Sequence, residues 1–134
     1  MGRRALTLLT IVLGTALLAA CDLSTGPRAC ESDVKISIVE GAPVRVAWAP
    51  ACTVGSVTWD EVDSAGRTTA VVWIVSSGAN EIGSSVAFGS RGEVKQQLGV
   101  GRRYRVRVGV IVGGDAIYTL GDVQFTYWPP DQPK

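Results

Sequence analysis

Histidine is absent from the 134 residues. That removes Ser-His-Asp and Cys-His nucleophile systems, imidazole general bases and histidine metal sites. Carboxylates gather at Asp60, Glu61 and Asp63 in WDEVDSAG. A glycosidase needs two carboxylates facing each other across a cleft, and a calcium loop needs oxygen ligands at more regular intervals. Beside a Ser-Ala-Gly turn, these acids read as solvated charge. Cations line up in GRRYRVRV (101–108). Arg105 and Arg107 form either an anion-binding strip or one half of a cross-strand charge ladder with Thr58 and Asp60, and pairing is the favoured reading. Aromatic side chains are the better candidates for ligand contact. Trp73, Tyr118 and Trp128 can stack on a sugar or anchor a protein partner. No catalytic residue, metal site or dissociable cofactor is expected.

Sulfur is the remaining chemistry, and the cysteine count is odd: Cys21, Cys30 and Cys52. Arg3 and Arg4 precede an uncharged run, ALTLLTIVLGTALL (5–18), followed by Ala19 and Ala20. Basic, apolar, then small is the order of an export signal. The run is short for a membrane span, which needs about 20 apolar residues. A buried amphipathic helix would show a polar stripe, and only scattered Thr and Gly interrupt this one. The run ends in LAAC (18–21), which resembles the lipobox of bacterial lipoproteins. The resemblance implies cleavage before Cys21 and a covalent lipid on its sulfur, so Cys21 is the cysteine without a disulfide partner. Residues 1–20 are then the signal peptide helix, 21–29 a lipidated tether and 128–134 a proline-rich tail expected to fray.

Removing the signal takes two of the 13 basic residues and leaves 11 against 12 acidic ones. A near-neutral chain of this kind argues against nucleic-acid binding. Val, Thr and aromatics dominate the body with Gly at intervals, a strand composition. VKISIVEGAPVRVAW (34–48) reads as a hairpin folded at Gly41, with opposed positions summing to 82. Val34, Ile36, Ile38, Val44, Val46 and Trp48 then share one face. The same register opposes Cys30 and Cys52, within disulfide reach, and export to an oxidising compartment favours the bridge over two free thiols. Further strands are expected at 56–62, 70–76, 84–90, 103–112 and 122–127, with Trp59 and Val57 inward and a turn at GGD (113–115). GEVKQQLG (92–99) is the one candidate for a helical turn.

Six or seven short strands predict a single all-β domain, an antiparallel sandwich over residues 30–127. Its details resemble a fibronectin type III domain. Trp48 is similar to that family's core tryptophan on the second strand. Leu98, Gly101 and Tyr104 match its Leu-x-Pro-Gly-x-x-Tyr corner, with Val100 where proline is usual. The resemblance implies a fold and a binding or spacing habit, with no catalytic residues. The expectation is an exported, lipid-anchored module of a bacterial cell envelope that binds a protein or glycan. The alternative is a structural accessory subunit of an envelope assembly.

Overall fold

The computed structural model describes residues 26–134. The expected signal peptide, the lipidation site Cys21 and most of the tether lie outside the described residues. The strands are β1 (Lys35–Val39), β2 (Arg45–Ala49), β3 (Ser56–Val62), β4 (Thr68–Ser76), β5 (Ser85–Ala87), β6 (Glu93–Val94), β7 (Arg103–Val112) and β8 (Ala116–Thr126). They form two antiparallel sheets, β1-β2-β5 and β6-β4-β3-β7-β8. No helix occurs among the described residues. The chain is therefore all-β with a sandwich architecture, as its composition and alternation predict.

Alternation decides what each sheet buries. In β1 and β2, Ile36, Val46 and Trp48 point inward, and Val34 and Val44 continue the pattern beyond the strand ends. In β7, Tyr104, Val106, Val108 and Val110 do the same. β3 lies at the centre of the larger sheet, and its Trp59 is fully buried. The Trp59 ring meets Trp73 of β4 at 5.7 Å, Phe88 at 5.1 Å and Phe125 of β8 at 5.4 Å between centroids. Trp48 hangs its indole N–H on the Cys52 carbonyl at 2.9 Å.

The two sheets approach each other most closely where β1 meets β8. The Val34 amide donates to the Leu120 carbonyl at 3.0 Å. A Cβ on Gly121 would stand 2.6 Å from the Val34 carbonyl oxygen, so only glycine allows this approach.

Several details depart from the sequence reading. The first hairpin pairs Ile36 with Trp48 and Ile38 with Val46, so opposed positions sum to 84 rather than 82. A slip of two residues keeps every side chain on its face, which is why the predicted core set survives. Val44 meanwhile extends the pairing on the other edge of β2, its carbonyl accepting from Phe88 N–H at 2.8 Å. Cys30 and Cys52 do form a disulfide, with Cα atoms 5.0 Å apart. They do not meet through the hairpin ladder. Ala29 forms a parallel bridge with Thr53, fixed by Thr53 N–H to Arg28 O and Cys30 N–H to Thr53 O, both 2.8 Å. Arg28 and Ala29 thus belong to the folded domain and not to a free tether.

The segment expected to hold a helical turn instead contributes β6, which pairs with Trp73 and Ile74 of β4. β8 begins at Ala116, six residues earlier than expected. β4 likewise begins two residues early, at Thr68. The tail is folded back: Gln132 N–H donates to Pro129 O at 3.0 Å, and the Lys134 ammonium lies 3.3 Å from the Glu40 carboxylate.

The disulfide closes a loop of 22 residues in sequence separation. Replacing both Cys30 and Cys52 with Ala is expected to lower unfolding stability by about 3 kcal/mol. The measurement is the urea midpoint, and an unchanged midpoint would mean that the backbone bridges at Ala29 and Thr53 hold this end alone.

Candidate functional site

β8 does not stop pairing at Thr126. Tyr127 N–H donates to Arg102 O, and Gly101 N–H donates to Tyr127 O, both at 2.9 Å. This extension carries Trp128 over Gly101, whose φ is +74°. The indole edge is 3.8 Å from where a Cβ on Gly101 would sit. The left-handed φ is what favours glycine here, since a Cβ would meet the indole only at ordinary contact distance.

On the other side, the turn after β1 brings Glu40 and Gly41 up to the same place. The result is a depression of about 230 Å³, walled by Ile38, Val44 and Phe125 and rimmed by Glu40, Tyr127 and Trp128. A second depression of about 270 Å³ adjoins it, sharing Val44 and Tyr127 and reaching Phe88, Gln97 and Leu98. Together they make a cleft at the end of the sandwich where β1 turns into β2 and β8 ends. Apolar side chains and polar groups line it together, and small-molecule sites combine the two. A half-buried indole beside an exposed carboxylate suits a pyranose: the ring face takes the C–H side of the sugar, and the carboxylate accepts from hydroxyls. The Lys134 ammonium already touches Glu40, with both side chains exposed, so a ligand displaces or joins a weak pair.

The residues singled out by sequence are dispersed by the fold. Trp128 is in the cleft. Tyr118 is at the opposite end, on β8, and exposed. Trp73 is fully buried with its N–H donating to Arg91 O at 2.7 Å, which removes it from any surface a ligand could reach. Its place is set by direct pairing with Trp59 across β3 and β4. Trp48 and Tyr104 are buried, and Leu98 packs at the core's edge. The Tyr104 hydroxyl accepts from Gly99 N–H at 2.7 Å, and burial pushes its phenol above the usual range.

Arg105 and Arg107 are engaged within the chain. Arg107 is 2.5 Å from Asp60, and Arg105 donates to the Gly66 carbonyl at 2.7 Å and lies 3.9 Å from Asp122. The guanidiniums serve the outer face of the sheet and do not stand as a free cationic ladder. Asp60 itself is fully buried, not solvated. Alternation along β3 puts it on the arginine face, where it pairs in register with Arg105 and meets the Arg107 guanidinium diagonally. Only one of its oxygens is hydrogen-bonded. Asp63 organises the β3–β4 turn: its Oδ1 accepts from Ala65 and Arg67 N–H at 2.9 Å, and Oδ2 from Arg67 Nε at 2.8 Å. The Arg67 backbone amide first, then its guanidinium, hold the Asp63 carboxyl below the ordinary range. Glu40 and Tyr127 escaped the sequence reading. Glu40 carried no signal beyond preceding a turn glycine, and Tyr127 counted only as part of an alternating strand.

Among the described residues no group of three or more His, Cys, Asp or Glu is arranged to hold a metal ion, and no helix is long and apolar enough to cross a membrane. The disulfide is the chemistry of an oxidising compartment. No family model, curated protein or solved structure matches the chain.

Two outcomes are expected on the outer face. Arg107→Met leaves the buried Asp60 carboxylate without its partner and is expected to cost roughly 2 kcal/mol. The double variant Asp60→Asn, Arg107→Met recovers most of it, read from urea midpoints. Asp63 is more acidic folded than unfolded, so its contribution is full above about pH 4 and is lost as pH falls through the folded value. Asp63→Asn is expected to flatten the fall in stability between about pH 5 and pH 2, measured by unfolding across that range.

Proposed function

We propose that this chain is a lipid-anchored binding module of a bacterial cell envelope, with a fibronectin type III-like sandwich that takes a glycan in the cleft under Trp128. The anchor rests on the LAAC sequence ending at Cys21. The domain type is supported by the buried Trp48 on β2 and by the Tyr104 hydroxyl closing the corner at Gly99. It is also supported by the division of strands into β1-β2-β5 and a larger sheet.

One observation carries the functional reading. The cleft lies at the end of the sandwich remote from Cys30, where the tether enters. β1 runs from the Cys30 end toward Glu40, and β8 runs from Ala116 toward Trp128. A module held by its N-terminus then presents Glu40, Tyr127 and Trp128 away from the membrane, where envelope glycans are met.

The accessory-subunit reading has one feature in its favour. β8 is the edge of its sheet, and an edge strand can be completed by a partner strand.

Purified protein is to be screened against cell-wall glycan fragments, with Trp128→Ala beside it. Loss of the stacked ring is expected to weaken binding by about tenfold or more, with unfolding stability nearly unchanged. Binding that survives Trp128→Ala, or a screen with no retained glycan, overturns the reading. Co-purification with one stoichiometric envelope protein would install the accessory-subunit reading instead.

A further inference from the structure

The β7–β8 hairpin runs past the edge of the sandwich. Val112, Ile117 and Tyr118 are exposed by 50%, 55% and 61% and make up three of the five large hydrophobic side chains exposed among the described residues. From Ile111 to Gly121 the only charge is Asp115, in the Gly113–Gly114–Asp115 turn. Apolar side chains stand on both faces of this ribbon, because Ile111 pairs with Ile117 and Val112 with Ala116. It therefore has no solvated face of the kind a two-stranded ribbon normally turns to water.

The position of the ribbon says what it meets. Asn80 binds the Ile111 main chain from both sides, accepting from its N–H at 2.7 Å and donating to its carbonyl at 2.9 Å. The same Asn80 lines a groove with Pro27, Ala29 and Thr53. The apolar tip and the entering N-terminal segment thus share one end of the domain, joined through one side chain. Between Pro27 and Cys21 lie six residue steps, which span at most about 20 Å. A lipid on Cys21 would hold this end, and no other, against the bilayer.

We propose that the tip of the β7–β8 ribbon, carrying Val112, Ile117 and Tyr118, seats in the interfacial layer of the membrane that holds the anchor. The inference rests on the lipid-anchor reading. The occupant is a lipid surface, fixed by the short tether. Hydrophobic burial drives the contact, since the tip has no Lys or Arg to seek anionic headgroups. Tyr118 offers the ring-and-hydroxyl combination that favours the interface. Seating is shallow for two reasons. Asp115 stays with the headgroups and water, and the outer edge of β8 has backbone groups that hydrocarbon cannot satisfy. The contact orients the sandwich upright, with the Trp128 cleft pointing outward.

The test uses the full lipidated chain in vesicles of phosphatidylethanolamine and phosphatidylglycerol. Ile117→Cys, and separately Val112→Cys, are labelled with an environment-sensitive fluorophore. In the lipid-anchored form labelling is selective, because the Cys21 sulfur is held as a thioether to lipid and Cys30 and Cys52 are bridged. Ser64→Cys, on the exposed turn at the far end, is the control. Tip labels are expected to shift to the blue and to be quenched by spin-labelled lipid about twofold or more beyond the control, consistent with burial to interfacial depth.

Intact mass separates the two ways of failing. Equal quenching at tip and control with lipid present on Cys21 overturns the tip contact and leaves the anchor standing. An unlipidated Cys21 overturns both. Tip labels shielded only after envelope proteins are added would make this a protein-docking surface and also overturn the proposal.

Discussion

The structure is organised around the burial of one indole. Trp59 occupies the middle strand of the larger sheet and is flanked in register by Trp73 on β4 and Val106 on β7. Phe88, at the end of the smaller sheet, and Phe125 of β8 close on the same ring. Four chain segments far apart in sequence are tied to one side chain. Aromatic pairs at these separations contribute about 0.5–1.5 kcal/mol each beyond the area they bury. The Trp59 N–H is left without a hydrogen bond, a cost of about 1–3 kcal/mol that the buried ring must offset. The cleft is tied to this centre through Phe125, which packs on Trp59 and walls the cleft.

Around that centre the two ends of the sandwich differ in chemistry. At one end the Cys30–Cys52 bridge, the Asn80 contact and the exposed β7–β8 tip are gathered. At the other, main-chain pairing beyond β8 brings Tyr127 and Trp128 to the β1–β2 turn. In the proposed reading the first end faces lipid and the second faces ligand. The outer face of the larger sheet does neither. Its arginines are occupied with Asp60, Asp122 and the Gly66 carbonyl, and they act as cross-strand ties on a surface that would otherwise be an unpaired row of like charges.

Legibility varied with the range of the interaction concerned. The hairpin register was misjudged by two residues, yet the buried face was read correctly, because side-chain direction has period two and the error was even. Asp60 reads as solvated charge beside a turn, while alternation pairs it with the arginine face; the pairing holds and the solvation does not. What no local rule reports is how completely β4 and β7 on either side cover it. Trp73 sat in a strand apolar on both faces, so alternation could not choose its side, and pairing with Trp59 made the choice. Residues 92–99 hold only a two-residue strand. So short an element owes its existence to the β4 edge beside it, since its own propensity is slight.

What the sequence determined alone is what depends on neighbours along the chain: strand composition, the inward face of those strands that alternate, the turn chemistry of Asp63, the absence of imidazole and the LAAC context of Cys21. Tertiary structure alone decided which segments lie side by side. It brought Cys30 to Cys52 through a parallel bridge, set Trp128 against Glu40, and placed the apolar ribbon beside the N-terminal entry. The physical reason is that side-chain periodicity is a local steric property of the backbone. Juxtaposition is chosen by the total burial and hydrogen bonding of segments tens of residues apart, which no short window of sequence contains.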